Sequence, residues 1–390
     1  SHSCAARLTP RSWPQASRSS WSERTSSSVA RSTLEVFAHD GLTVISDRVF
    51  PTEPLTRLEV VGAGTAVPAP ARRHLVAELQ LSRWRVTAMR WALERVGAAL
   101  ADCHHPIVLL KGAAYIGQDL SIARGRMPAD VDILVPREHI AVAQDRLRQA
   151  GWQEVELDAH DQRYYREWSH EVPPMRHPVH RIELDLHHNV LPPVAKIHVD
   201  AARLLERIRP SRLPGWSVFD PVDQFLHAAA HLFCDSELRD RIRDLVDLDE
   251  LARHFADADA RFWPSLGERA AELGLSEPLA LAAHLLVTWF NTPIPAQTLK
   301  QVRQAGPGAL HRWWLLPVMT RVLMPVEPDR EAGWPVRLAD ALVLARYHRN
   351  RMPLKLLAPH LLHKAFGQRP MPPLPQAPLG VTERPRPPDA

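Results

Sequence analysis

The chain has 390 residues, 45% of them hydrophobic, with a net charge of +4. That is enough apolar material for a sizeable core and, at this length, for two domains. The small charge excess, carried by 43 arginines against five lysines, and the lack of a basic–aromatic stripe speak against a nucleic-acid surface. No run approaches the ~18 apolar residues of a membrane span, Leu279 to Phe290 being too short and broken by His284. Cys4, Cys103 and Cys234 lie far apart with no CxxC spacing, which argues against a disulfide framework or a structural zinc site and for a reducing, cytoplasmic compartment.

Residues 1–70 are rich in Ser, Arg and Pro and are expected to be a disordered segment and linker rather than a transit peptide, with one short hairpin between Leu34 and Phe50 turning at Asp40-Gly41. An amphipathic stripe predicts a helix over 72–102, including Leu75, Leu79, Trp84, Met89, Leu93 and Val96. Ile107 to Leu110 reads as a buried strand ending at Lys111-Gly112, where a helix begins. A second strand holds Asp130-Val131-Asp132-Ile133-Leu134-Val135. Pro136 suits the first position of a helix that runs to Ala150 and stops at Gly151. Strands are expected near Trp152–Leu157 and Arg163–Val172, then a Pro-rich turn and the alternating strand Arg181 to His187.

Beyond Leu205 the pattern is helical apart from a short strand at Trp216–Phe219. Helices are expected over 221–234, 238–255, 261–273 and 277–290, with others within 310–323 and 336–348. The prolines after Gln368 make a solvated tail. The expected class is α+β: a small mixed sheet backed by helices over 71–205, a mainly helical domain over 206–367, and a tail over 368–390.

Strand residues two apart share a face, so Asp130 and Asp132 point the same way between apolar neighbours. Two such carboxylates repel each other and lose hydration, a cost that a divalent cation relieves. Oxygen ligation by a few carboxylates plus substrate phosphates is the habit of Mg²⁺. If the Arg181–His187 strand lies beside this one, Asp185 joins the pair, with Glu183 on the same face as the second choice and His187 as a supporting residue. At Lys111-Gly112 a phosphate could approach the backbone, meet a helix N-terminus and pair with Lys111. Arg124 and Arg126 precede the acidic pair, exposed or phosphate-facing. His227 and His231 share a helical face but lack an HExxH context, so packing is preferred to zinc. Arg243 and Asp247, four apart, suit a helical ion pair.

Leu110-Lys111-Gly112, then Arg126-x-x-x-Asp130-x-Asp132-x-Leu134-Val135, then Asp185-Leu186-His187 resembles the pattern of the uncharacterised bacterial nucleotidyltransferase family, within the DNA polymerase β-like superfamily. The resemblance covers about residues 75–255. It implies a polymerase β-like palm domain and a two-metal enzyme that moves a nucleoside monophosphate from an NTP, most simply ATP, to an acceptor hydroxyl. In that scheme Asp130, Asp132 and Asp185 hold Mg²⁺ or Mn²⁺, while Lys111, Gly112 and Arg126 hold phosphates. The acceptor would be a small molecule, saccharide, peptide or protein. One departure stands out: the superfamily has Gly-Ser or Gly-Gly where this chain has Gly112-Ala113. That departure supports the alternative of a catalytically weak nucleotide-binding or regulatory module.

Overall fold

A computed structural model describes residues 69–123, 130–179, 182–235, 238–239, 241–324 and 332–366, together with five short strands before them. Among these, β1 (Ala5–Leu8) pairs antiparallel with β5 (Leu58–Val61), and β2 (Thr25–Ala30), β3 (Thr33–Ala38) and β4 (Thr43–Arg48) form an antiparallel sheet. β3 and β4 are the arms of a hairpin at the place expected for one, while its turn, most of the remaining 1–68 and the 367–390 tail lie outside the described residues.

Helix α1 (Ala69–Ala99) buries Met89, Ala92, Leu93 and Val96, whereas Trp84, expected on the same stripe, is 63% exposed. The central sheet is built from β6 (Val108–Leu109), β7 (Asp130–Leu134), β8 (Gln153–Glu154), β9 (Met175–Arg176), β10 (Glu183–His187), β11 (Ile208–Pro210) and β12 (Ser217–Phe219), in the spatial order β11-β12-β6-β7-β10-β9-β8. β7 runs parallel to β10 and β6 parallel to β12; the other neighbours are antiparallel. Val131, Ile133, Leu184 and Leu186 are buried, so the two acidic strands are anchored by their apolar residues. Because β11 and β12 belong to this sheet, it continues past residue 205.

The connections hold α2 (Lys111–Gly117), α3 (Ile140–Gln149), α4 (Ala159–Glu167) and α5 (Ala201–Leu205). α4 corrects the strand expected at Arg163–Val172. Asp158 caps it, accepting a bond from the Asp161 N–H at 2.8 Å, and this local cap outweighs the strand preference of Tyr164 and Tyr165. Pro136 lies just outside the next helical segment, at its N-cap, and a 3-10 turn over Arg137–His139 precedes α3. Gly151 does terminate α3, at φ +98°, where any Cβ would also sit 3.1 Å from His177 Nε2.

The helical region comprises α6 (Pro221–Phe233), α7 (Ile242–Ala258), α8 (Phe262–Glu272), α9 (Ser276–Phe290), α10 (Ala296–Ala305), α11 (Ala309–Leu323) and α12 (Trp334–Arg351). α10 was not expected: it buries only Thr298 and Val302, too thin a stripe to read from periodicity. Asp220 caps α6 ahead of Pro221. Inside, Arg269 donates to both oxygens of Asp223 at 2.8 and 2.7 Å and to the Arg203 carbonyl, tying α8 to α6 and α5. Residues from Pro353 onward form a separate unit that contains α13 (Leu354–Phe366). Among the described residues no helix is long and apolar enough to cross a membrane.

Candidate active site

The register of β7 and β10 places Glu183 opposite Asp130 and Asp185 opposite Asp132. Neighbouring residues of a parallel pair share a face, so the two acidic strands present their carboxylates together. Asp132, Asp185 and His187 each offer an atom within 4.8 Å of the others, and His170, Glu171 and His187 form a second such group. Asp130 lies close enough to feel the Asp132 charge but is outside both groups.

Asp132 is 3% exposed and is the best-partnered carboxylate. Lys111 Nζ donates to its Oδ1 at 2.8 Å, and His187 Nε2 lies 3.1 Å from the same oxygen. His187 Nδ1 sits 3.5 Å from Glu171 Oε2, yet it is buried without a hydrogen-bond partner. The left-handed residue at the β6–α2 junction is Lys111, at φ +45°, rather than Gly112, which is buried in the first turn of α2. This conformation costs a non-glycine residue about 1–3 kcal/mol. Here it accompanies an ammonium brought onto Asp132.

Burial alone would raise the Asp132 carboxyl, but the Lys111 ammonium and the His187 bond hold it well below the usual carboxylate range. The neighbours lack such help. Burial, then the charges of Asp132 and Glu171, push the Asp185 carboxyl up to about 7. Burial and Asp132 likewise raise Asp130. Lys111 offsets one charge of the acidic group, and the rest lies in a field that favours a cation.

A pH prediction follows from Asp185. Its carboxyl is raised in the fold from 3.8 to about 7, so its contribution to stability is full below about pH 4 and is lost as pH rises towards 7. Buried His170, His227 and His231, all shifted down, give the opposite slope below about 6.5. The difference between wild type and Asp185→Asn cancels these. In metal-free buffer the variant should gain melting temperature relative to wild type as pH rises from about 5 to 8. A difference that stays flat with pH would show that Asp185 titrates like a solvated carboxylate.

Next to the acidic cluster lies a cleft of about 270 Å³. Of the three expected acids, Asp185 reaches its wall, beside Lys111 and Glu171; the sheet side also supplies Val190, Leu191 and Ile197. The lining also includes Ala230, His231 and Cys234 at the end of α6, and Asn350 and Arg351 at the end of α12. Residues beyond 205 therefore contribute to the lining of the cleft.

Other expected residues go elsewhere. Glu183 forms an ion pair with Arg176 on the adjacent strand β9. Arg124 and Arg126 lie outside the described residues. Arg243 pairs with buried Asp247 at 3.7 Å along α7, as the i,i+4 spacing predicts. His227 packs edge-on against Phe219, and neither it nor His231 belongs to a group of three potential metal ligands among the described residues. Sequence reasoning missed His170, Glu171 and Arg351. Glu171 reaches the site through an isolated bridge to His187, a long-range contact without a local signature.

The model of a family described as uncharacterised nucleotidyltransferases matches residues 55–291. A short match over 29–78 is to the C-terminal region of glycosyl hydrolases family 32. No curated protein matches the chain. Among solved structures, JHP933 from Helicobacter pylori is similar at 15% identity, covering 73% of this chain and 97% of that one; its TM-score of 0.30 is too low to carry an argument. The 55–291 match spans more than half of the sequence and includes Lys111, the three acids and α6, so the chain belongs to the family of uncharacterised nucleotidyltransferases.

Proposed function

We propose that this protein is a metal-dependent nucleotidyltransferase that moves a nucleoside monophosphate from an NTP, ATP in the simplest case, to a hydroxyl-bearing acceptor. The observation that carries the reading is the register of Asp185 beside Asp132, with His187 completing a group within 4.8 Å. On this reading the sheet is a polymerase β-like palm, residues 71–205 carry the catalytic groups, and the helices after 205 close the acceptor side. The donor set fits a divalent ion: two carboxyls are raised by burial and mutual charge, and His187 Nδ1 is buried without a hydrogen-bond partner. Asp130, Asp132 and Asp185 would hold Mg²⁺ or Mn²⁺, the imidazole favouring the second. When bound, such an ion neutralises triphosphate charge and lowers the pKa of an attacking oxygen.

The protein's own groups do the positioning, which dominates phosphoryl-transfer catalysis. His187 orients Asp132 through the 3.1 Å contact. Lys111, already an ammonium on the cluster, would pair with a phosphate, and the helix start at Gly112 is assigned to the same anion. Arg126 is assigned the bidentate phosphate clamp. Asp185, on the cleft wall, would hold the ion that activates the acceptor hydroxyl.

One observation favours the second reading, a nucleotide-binding module of low turnover. Lys111 is committed to Asp132, and Ala113 supplies no hydroxyl at the phosphate end. The deciding measurement is a thermal melt with Mg²⁺ or Mn²⁺ and ATP, paired with pyrophosphate release. Saturation at a hundredfold over Kd stabilises the fold by about 2.7 kcal/mol. A melting temperature that ignores metal and nucleotide together would sink both readings. A response without pyrophosphate release, across a panel of hydroxylated acceptors, would leave the module.

A further inference from the structure

Arg351 is a charge in the cleft that the transferase reading does not use. It ends α12 and is half-buried, yet among the described residues no carboxylate lies within ion-pair distance of it. Its Nε donates to the Tyr164 hydroxyl at 2.8 Å and its Nη2 to the same oxygen. The rings of Tyr164 and Tyr347 lie 5.7 and 5.3 Å from the guanidinium carbon. These contacts hold the fork, and among the described residues Nη1 makes no hydrogen bond. The buried arginines here do hold carboxylates: Arg269 pairs with Asp223, and Arg346 with Glu277. That is the usual condition for burying a cation.

Two more polar groups at the same cleft lack partners. His170 Nδ1 and Asn350 Oδ1 are buried without a hydrogen bond among the described residues. Of the acids nearby, Asp235 pairs with Arg241 at 3.3 Å, and Glu171, whose charge Arg351 feels beyond ion-pair distance, lies 3.5 Å from His187 Nδ1. Val190, Leu191, Pro192, Ala195 and Ile197 line an apolar side. At about 270 Å³ the cleft is slightly below the ~300–1,000 Å³ of ordinary small-molecule sites, which suits a compact ligand.

We propose that the cleft takes a small amphipathic acceptor carrying a carboxylate or phosphate, with that anion held by Arg351, the body on the Val190–Ile197 side and the hydroxyl presented to Asp185. The role of the hydroxyl rests on the transferase reading; the anion site does not. In the transfer, the acceptor O–H loses its proton to solvent. Its oxygen bonds the α-phosphorus, the bond to the β-phosphate oxygen breaks, and pyrophosphate leaves.

The test is calorimetry on the full chain with two matched pairs: 4-hydroxyphenylacetate against its amide, and glycerol 3-phosphate against glycerol. At least one anion should bind wild type about tenfold or more tightly than its neutral partner. Arg351→Gln should remove that preference and leave Mn²⁺–ATP binding within about twofold. Arg351→Lys, which keeps charge but loses the planar fork, should retain part of it. Equal binding within both pairs in wild type, or no binding by any of the four, overturns the proposal without recourse to a variant. So does an Arg351→Gln protein that loses Mn²⁺–ATP affinity instead, since the guanidinium would then serve the nucleotide. If wild type prefers the anions but shows no response to Mn²⁺–ATP, the anion site stands and the transferase reading fails.

Discussion

Asp132→Asn is expected to lose the metal-dependent part of nucleotide binding and to lower transfer by about 10³-fold. Asp132 is the carboxylate on which Lys111 and His187 converge, at 2.8 and 3.1 Å. Asparagine keeps the shape and one acceptor but removes the charge that holds the buried ammonium. Breaking a buried pair from one side costs about 3–5 kcal/mol. The metal-free variant should therefore also melt earlier, in contrast to Asp185→Asn. Denaturant unfolding with and without Mn²⁺ separates the two effects. A variant that keeps the full Mn²⁺–ATP shift would remove Asp132 from the metal site, whatever its stability.

Asp185→Asn should divide binding from turnover. Asp185 sits on the cleft wall, while the triphosphate is assigned to Asp130, Asp132, Lys111 and the start of α2. Nucleotide affinity should stay within about tenfold, a change of about 1.4 kcal/mol. Transfer should fall by about 10²-fold or more, because a cation-holding charge beside the acceptor hydroxyl is lost. Pyrophosphate release with α-labelled nucleotide and the hydroxylated-acceptor panel reads the outcome. Equal rates in variant and wild type would exclude Asp185. Glu171 would then be the acid to examine, because it lines the cleft, whereas Glu183 is paired to Arg176.

Much of the acidic site was legible because it is written in strand periodicity. Asp130 and Asp132 two apart, and Asp185 and His187 two apart, share faces by backbone geometry alone. The helix stop at Gly151 and the start at Pro221 were equally local, since one residue's allowed dihedrals decide each. Where local signals competed, the reading failed: the Asp158 cap made α4 helical against two tyrosines that favour a strand. Thin amphipathicity hid α10.

The sequence by itself determined which residues carry charge into an apolar strand, how they alternate and where the flanking helices begin or stop. These follow from covalent geometry and dihedral preference over a few neighbouring residues. Only the tertiary structure decided that β10 lies parallel to β7 in the register that sets Asp185 against Asp132. The same packing sends Glu183 to Arg176 and brings Glu171 onto His187. It also carries Arg351 from the end of α12 into the cleft that Lys111 lines. Residues 240 positions apart meet there because burial of shared apolar surface sets the docking of helices on the sheet, and no local pattern encodes that partner.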